Sequence, residues 1–279
     1  MPGWMPSSRS AHRPSTDLKK TPLPKLTIGD ERRLRNFRSH DGSGIKDPVR
    51  FKELMDEAVG LVEPGFHLGD NLFTWMRNVS AAEDSVFLEA WQSNVTNAAD
   101  EAILWRRYIL CCAACHCVHL AGDFVECGVL SGTGVKTVID YFGRDNFAKR
   151  FWAYDVFESN PVEEIAAVGQ REGLFESVQE RFSGYEMVAL VAGLLPASLE
   201  GNSPERIAYL HIDLNKAETE IAVLERLFER VVPGGIVILD DYEWSGVYRR
   251  QKISEDAWFA ARDYRVIPLP TGQGLVIKR

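Results

Sequence analysis

The sequence predicts an α/β fold in which helices cover both faces of a mainly parallel β-sheet that ends in an antiparallel hairpin. From residue 123 onward, short apolar runs typical of buried strands alternate with longer segments of helical periodicity. The first run leads into a glycine-rich turn and then a helix, within residues 124–142. The second run ends in an acidic residue, Asp155, about 20 residues after these glycines, a spacing typical of nucleotide-binding α/β folds.

The same pattern places each element. Strands are predicted at 123–127, 150–155, 187–191, 207–213 and 235–240, with a closing hairpin of 264–268 and 274–278. Helices are predicted at 134–143, about 160–181, 217–230 and 247–262, preceded by one long helix over 98–120.

The N-terminal third differs from the rest in composition. Residues 1–50 carry 11 Lys and Arg against 5 Asp and Glu, whereas the other residues carry 21 against 35. Residues 1–48 are rich in Ser and Pro and predict a disordered basic tail. Residues 49–95, with a helical period at 49–61 and many aromatics after 64, predict short helices that form a cap or a dimer contact. Residues 96–279 then form the main domain.

Charge, hydropathy and cysteine content exclude several classes of protein. The acidic body disfavours general binding of nucleic acid, which needs clustered Lys and Arg. No apolar run is long enough for a membrane span, and the N-terminus lacks the apolar core of a signal peptide. Five cysteines in 279 residues do not indicate a disulfide framework. We therefore expect a cytoplasmic protein.

The glycine turn predicts a ligand site. Glycines at 128, 132 and 134 allow the backbone to approach a ligand closely, and the following helix presents free N–H groups. Asp155 is placed to hold ribose hydroxyls. The glycine spacing fits the usual NAD-binding turn poorly, although an NAD-binding protein remains an alternative.

Carboxylates also follow the later strands, with Asp213 after the fourth and Asp240 and Asp241 after the fifth. Hard oxygen ligands from adjacent strand ends suit Mg²⁺. The alternative is that Asp213 or Asp241 caps the following helix. His211 could be a base or a buried, satisfied histidine, and Asn215 is expected to cap the helix near residue 217.

Four potential zinc ligands, Cys112, Cys115, His116 and His119, share one face of the long helix. Four ligands from one straight helix cannot surround a tetrahedral ion, so we interpret these cysteines as small buried residues packed on the sheet.

The chain resembles the class I S-adenosylmethionine-dependent methyltransferases, and more narrowly the macrocin O-methyltransferase group (TylF, MycF and NovP type). The matching segments are Gly122-Asp123-Phe124-Val125-Glu126-Cys127-Gly128-Val129, Ala153-Tyr154-Asp155-Val156-Phe157, Leu210-His211-Ile212-Asp213 and Val232-Pro233-Gly234-Gly235-Ile236-Val237-Ile238-Leu239-Asp240-Asp241-Tyr242.

This resemblance implies a Rossmann-like, seven-stranded sheet with S-adenosylmethionine lying over the glycine turn. Glu126 and Gly128 would approach the amino acid part of the donor, Asp155 the ribose, and Gly193 the adenine. The full set of donor-binding residues is Glu126, Gly128, Val129, Ser131, Gly132, Thr133, Asp155, Val156, Gly193 and Asp213. The metal carboxylates carry over to Asp213, Asp240 and Asp241, but Asn215 stands where the family usually has a further acid.

The resulting hypothesis is an O-methyltransferase acting on a hydroxyl of a sugar, a polysaccharide or a glycosylated natural product. Mg²⁺ would activate the hydroxyl, with Asp213 or His211 as base and Asp240 as a further catalytic residue. Four side chains could face the acceptor, namely Trp244, Tyr248, Arg249 and Arg250, or they could instead form a solvated helix start with one aromatic side chain in the core. A non-catalytic protein of the same fold is a second alternative, and a homo-oligomer is expected from the aromatic segment.

Overall fold

A computed structural model describes residues 45–62, 66–158 and 171–279. Its N-terminal part comprises α1 (Pro48–Gly60), β1 (His67–Gly69), β2 (Leu72–Thr74), α2 (Ser80–Glu83) and α3 (Ser85–Gln92). Asp47 caps α1 by accepting a hydrogen bond from the Arg50 N–H at 2.9 Å, and Pro48 fills the first position of that helix.

The cap segment is only partly helical. The helix predicted at 49–61 and the short helices between 80 and 92 are present, but β1 and β2 pair as an antiparallel hairpin where a helix was expected. Strands of three residues are too short for their periodicity to be read from sequence. Most of the predicted tail, residues 1–44, lies outside the described residues.

Seven strands of the described residues form one sheet. These strands are β3 (Asp123–Cys127), β4 (Phe151–Asp155), β5 (Val188–Ala192), β6 (Ile207–Ile212), β7 (Val231–Leu239), β8 (Ile267–Pro268) and β9 (Gly274–Ile277). Their spatial order is β5-β4-β3-β6-β7-β9-β8. The first five are parallel, whereas β9 pairs antiparallel with both β7 and β8. This confirms the predicted mostly parallel sheet with a reversed C-terminal hairpin.

Helices cover both faces of this sheet. The helices of this part are α4 (Ala98–Ala102), α5 (Leu104–Cys117), α6 (Thr133–Phe142), α7 (Leu174–Arg181), α8 (Ala217–Leu227) and α9 (Arg249–Ala260). Alternate residues of β3 point to opposite faces, so Phe124 packs with α5, α6 and α7, whereas Val125 packs with α8 and α9. Two apolar clusters result, one on each side of the sheet.

Three predicted elements differ from those observed. The single helix over 98–120 is interrupted at Ile103 (φ −98°, ψ 27°) and ends at Cys117. The helix predicted from about 160 is described only as α7, since residues 159–170 lie outside the described residues. The hairpin strands are shorter than predicted, with only Ile267 and Pro268 of the first one paired.

The prediction that Cys112 and Cys115 are buried was wrong. Both side chains are exposed, whereas Cys111 and Cys117 are buried and pack in the cluster beneath α5. His116 contacts the Gly234 carbonyl through its Nε2 at 2.8 Å, so it links α5 to β7.

Exposed apolar side chains gather on the hairpin, where Leu68, Trp75 and Met76 are largely accessible. The homo-oligomer predicted from this segment stays a prediction, and light scattering of the purified chain would test it. No helix among the described residues has the length and apolar character needed to cross a membrane.

Candidate functional site

The site lies at the carboxyl ends of the parallel strands. The chain runs from β3 outward to β4 and β5 and then returns to β6 on the other side of β3, which makes the β3–β6 boundary a topological switch point. Ligands bind at such points in open α/β sheets. The glycine turn after β3 and Asp213 after β6 meet at this boundary.

Gly128 brings these two segments into contact. Its φ is 93°, and a Cβ at this position would lie 1.7 Å from the carbonyl oxygen of Asp213. Only glycine can occupy this position without moving the backbone of one segment or the other. The turn is therefore fixed against the strand end that carries the candidate base.

Gly128→Ala is expected to lower the melting temperature strongly, because the new methyl group collides with backbone rather than with a flexible side chain. The matched control is Gly201→Ala, where φ is also positive (73°) but no atom lies within 4 Å. Gly201→Ala should cost only about 1 kcal/mol from left-handed backbone strain. Equal thermal shifts in the two variants would contradict the contact between the turn and Asp213.

Asp155 supports the glycine turn from β4. Its Oδ2 accepts hydrogen bonds from Val129 N–H (2.8 Å) and Leu130 N–H (2.7 Å), and its Oδ1 accepts one from Phe157 N–H (2.7 Å). The side chain is buried. The carboxylate thus sets the shape of the turn, and the predicted contact with a ribose stays a prediction.

The other predicted donor-binding residues surround this turn. Gly193 N–H donates to the Asp155 carbonyl at 2.9 Å, which places the end of β5 beside β4. Thr133 is buried, and its Oγ1 contacts Ser131 Oγ at 3.1 Å and Asp100 Oδ2 at 3.2 Å. The structure therefore brings the predicted set together along one edge of the sheet.

A row of charged side chains crosses the face of the sheet beneath α5. Glu126 of β3 pairs in register with His211 of β6, and Asp240 follows β7 on the same face. His211 Nδ1 lies 3.1 Å from Glu126 Oε2, and its Nε2 lies 3.2 Å from Asp240 Oδ1. All three side chains are buried.

His211 lies between two carboxylates, with each ring nitrogen facing one of them. Burial alone would favour the neutral ring, but Glu126 and Asp240 raise the pKa of His211 to about 10. An imidazolium with both nitrogens facing carboxylates has no free site for a further proton. Of the two bases predicted from sequence, the geometry favours Asp213, whose side chain is partly exposed.

Asp213, Asp240 and Asp241 converge as predicted. Each offers one carboxylate oxygen, and these oxygens lie within 4.8 Å of one another. Partial burial and repulsion from Asp240 and Asp241 raise the pKa of Asp213 well above its ordinary value. No hydrogen bond reaches the Asp213 carboxylate among the described residues. A cluster of hard oxygen donors with excess negative charge fits Mg²⁺.

Arg106 of α5 was not predicted, and it is the main counter-charge of this cluster. Its Nη1 lies 2.7 Å from Asp240 Oδ2 and 3.0 Å from Asp241 Oδ1, and its Nε lies 2.5 Å from Asp70 Oδ2. Burial would lower the pKa of Arg106, but the three carboxylates raise it above its ordinary value. Despite burial, Arg106 and His211 hold the pKa of Asp240 well below its usual range.

Asp70 joins the N-terminal hairpin to the site. It sits at the turn between β1 and β2 with a φ of 50°, and both of its carboxylate oxygens contact Arg106, the second at 3.3 Å. The cap segment therefore lies over the carboxylate cluster. Gln273, from the turn before β9, adds a hydrogen bond from its Nε2 to Asp240 Oδ1 at 2.8 Å.

None of the three residues considered as helix caps, Asp213, Asn215 and Asp241, caps a helix in the structure. α8 begins after Lys216, and no side chain caps it. Asn215 was expected to cap this helix, which was wrong, because Asn215 adopts a left-handed conformation (φ 56°) before the helix begins. The helical turn Gly246–Tyr248 begins after Ser245, also without a side-chain cap, so Asp241 does not serve there.

Two buried glutamates support the loop after Asp213. Glu220 Oε1 accepts hydrogen bonds from Gln251 Nε2 (2.7 Å) and from Leu214 N–H (3.3 Å). Glu255 is also buried, and repulsion between the two carboxylates favours a state in which only one of them is ionised. Burial raises the pKa of Glu220 to about 7, and burial together with Glu220 raises the pKa of Glu255 well above its ordinary value.

This pair makes stability depend on pH. Because the folded state binds protons at this pair more tightly than the unfolded chain does, the stabilisation is complete below pH 4.5 and is lost as pH rises through about 7. Glu255→Gln removes one of the two carboxyl groups and with it their repulsion, so it should raise stability at pH 8 by about 1–3 kcal/mol and change little at pH 5. Thermal melts at both values test this, with the exposed Glu225→Gln as control. A gain at pH 5 as large as that at pH 8 would contradict it.

The predicted acceptor-facing residues follow Asp241. Trp244 lies beside the cluster, with the Arg106 guanidinium carbon 5.0 Å from the ring centroid. Tyr248 packs edge-on against Trp244 at 6.4 Å. Arg249 is partly buried and Arg250 is exposed. Trp244 is therefore the member of this set that contacts Arg106, and Tyr248 packs behind it against Trp244.

Comparison with known proteins confirms the resemblance drawn from the motifs. The family model described as macrocin O-methyltransferase (TylF) matches residues 110–256. A curated relative, the 8-demethyl-8-(2,3-dimethoxy-alpha-L-rhamnosyl)-tetracenomycin-C 4'-O-methyltransferase of Streptomyces olivaceus, is 30% identical, with 43% of this chain and 53% of that protein covered. The match thus spans about half the length of that relative.

Two solved structures share the fold. The O-methyltransferase NovP matches with a TM-score of 0.51 and 22% identity, covering 63% of this chain and 80% of that one. The calicheamicin methyltransferase CalS11 matches with a TM-score of 0.51 and 17% identity, covering 77% and 98%.

Proposed function

Because the chain belongs to the macrocin O-methyltransferase (TylF) family, we propose that it moves the methyl group of S-adenosylmethionine to a hydroxyl oxygen of a sugar. The sugar would be free, part of a polysaccharide or attached to a natural product. The curated relative from Streptomyces olivaceus is named for methylation of a rhamnosyl group, which favours a glycoside acceptor.

One observation carries this proposal. The glycine turn that would hold the donor is in backbone contact with Asp213, one of three clustered aspartates. Methyl transfer needs the acceptor oxygen held in line with the donor methyl, so a donor site and a proton-accepting site must adjoin. The contact between Gly128 and the Asp213 backbone at the β3–β6 boundary supports such an arrangement.

The residues take distinct roles in this mechanism. Bound S-adenosylmethionine supplies an electrophilic methyl group, and Mg²⁺ held by Asp213, Asp240 and Asp241 would lower the pKa of the acceptor hydroxyl. Asp213, partly exposed at the end of β6, would take the hydroxyl proton as the oxygen attacks the methyl, while the C–S bond breaks and S-adenosylhomocysteine leaves. His211, enclosed between Glu126 and Asp240, positions both carboxylates and keeps its own proton.

Arg106 and the cap segment complete the site. With Arg106 bound to Asp240 and Asp241, the three aspartates of the cluster still outnumber this one guanidinium, which leaves negative charge beside Asp213 for a cation or a proton. The hairpin, docked through Asp70, covers the cluster and limits access of water. Trp244 offers an aromatic face beside Arg106, suited to the apolar face of a sugar ring.

The test is direct transfer of a deuterated methyl group. The protein is incubated with donor carrying a CD3 group and with rhamnosides bearing a free hydroxyl, with Mg²⁺ or with a chelator. We expect a product heavier by one CD3 group in place of hydrogen, formed faster with Mg²⁺. Methylation of nitrogen or carbon in place of oxygen would contradict the proposal, and so would the absence of product from every glycoside and free sugar tried.

A further inference from the structure

Cys112 and Cys115 form a pair of thiols that the proposed mechanism does not use. Both side chains are exposed on α5, three residues apart and therefore close to one helical turn. Residues at this spacing lie on the same face of a helix, with Cβ atoms about 5–6 Å apart. The two sulfurs can therefore reach one point above the surface of the helix.

This spacing is too wide for a disulfide, but it suits a metal ion that bridges the two sulfurs. A disulfide needs Cβ atoms about 3.8 Å apart, and both cysteines lie inside a continuous helix. A bridging ion instead adds two metal–sulfur bonds of about 2.3 Å, so the sulfurs lie up to about 4.6 Å apart. The helix can hold a bridged pair without a change in its backbone.

The surroundings of the two thiols favour a bound cation. Burial raises the pKa of both thiols, and hydrogen bonding to the Tyr108 hydroxyl partly offsets this at Cys112. Repulsion from Cys115 also raises the pKa of Cys112. A cation between the sulfurs would relieve this repulsion and displace the two thiol protons.

The neighbouring side chains determine which kind of ion fits. Asp84 lies near both thiols, but its oxygens accept hydrogen bonds from Phe87 N–H and from Tyr141 O–H, each at 3.0 Å. His116, on the same helix, has its Nε2 against the Gly234 carbonyl. Within the described part of the chain, the aspartate cluster is the only place where three or more His, Cys, Asp or Glu side chains converge for a metal.

A pair of thiols without a third ligand does not meet the needs of Zn²⁺, which takes four ligands at structural sites. Thiolates are soft ligands and select soft ions such as Cu(I), which is stable with two sulfur ligands. We propose that Cys112 and Cys115 together bind one Cu(I) ion through two thiolates. Two S–H protons are released, two copper–sulfur bonds form and no electron is transferred. This site goes beyond the proposed function and does not rest on it.

Anaerobic competition for Cu(I) against the coloured chelator bathocuproine disulfonate, with ascorbate as reductant, tests the proposal. The wild-type protein should take one Cu(I) ion per chain from the chelator, and excess Mg²⁺ should not change this because the aspartates prefer hard ions. Cys112→Ser and Cys115→Ser should each lower the affinity at least about 100-fold. Since both positions are exposed, neither variant should shift the melting temperature by more than about 2 °C.

The control is His119→Ala, which removes an exposed histidine one turn after Cys115 and should bind Cu(I) as the wild-type protein does. X-ray absorption at the copper edge should then show two sulfur neighbours. Failure of the wild-type protein to compete for Cu(I) would overturn the proposal, and so would unchanged affinity in both serine variants. A nitrogen neighbour of copper together with loss of binding in His119→Ala would contradict a site made of two thiolates.

Discussion

Replacing Asp240 with asparagine is expected to lower kcat by on the order of a thousandfold while leaving donor affinity within a few-fold of wild type. Asp240 is the centre of the charge network, since its oxygens accept from Arg106 (2.7 Å), Gln273 (2.8 Å) and His211 (3.2 Å). Asparagine keeps the shape but removes the charge. The aspartate cluster would lose one of its three negative charges, and the imidazolium of His211 would lose one of its two carboxylate neighbours.

The donor site should tolerate this change because Asp240 lies after β7, outside the glycine turn of β3. Steady-state kinetics and titration with S-adenosylhomocysteine therefore separate the two effects. Asp263→Asn, at a side chain that is 59% exposed, is the control and should change neither quantity. Retention of full activity in Asp240→Asn would rule out the aspartate cluster as the site of acceptor activation.

Arg106→Gln is expected to destabilise the fold by about 3–5 kcal/mol, because it leaves three buried or nearly buried carboxylates without their shared cation. For a domain of this size the melting temperature should fall by roughly 10 °C. The hairpin should also lose its anchor, since Asp70 contacts the site through this guanidinium alone among the described residues.

Mg²⁺ offers a second readout on the same variant. With the guanidinium gone, the three aspartates should bind the ion more tightly, so added Mg²⁺ should raise the melting temperature of Arg106→Gln more than that of wild type. Arg230→Gln is the control, because the exposed Arg230 hydrogen-bonds only Ser203 and Pro204 within the described part of the chain. A destabilisation no larger than that of Arg230→Gln would contradict the central role given to Arg106.

Much of the candidate site could be predicted from sequence because its residues follow strands. A buried strand is a local apolar run, and parallel strands bring their carboxyl ends to one edge of the sheet. Local patterns therefore put Glu126, Asp155, Asp213 and Asp240 at or next to strand ends, where they lie in the structure, and their roles stay predictions. Asp240 and Asp213 converge because they follow β7 and β6, which are neighbours in the sheet.

The cations of the site could not be predicted in the same way. Arg106 reaches Asp70 across 36 residues and Asp240 across 134, and no local pattern records such pairings. The signal available was two adjacent arginines, Arg106 and Arg107, inside an apolar helical period. The break at Ile103 and the left-handed Asn215 were missed because both depend on packing around the site rather than on residue preference.

The most direct test of donor use at the β3–β6 boundary is calorimetric titration of the ligand-free protein with S-adenosylhomocysteine, with NAD⁺ as the competing nucleotide. We expect one binding site for S-adenosylhomocysteine with a Kd on the order of micromolar and no measurable heat with NAD⁺. Binding of NAD⁺, or absence of binding by S-adenosylhomocysteine, would contradict the assignment of the glycine turn to a sulfonium methyl donor.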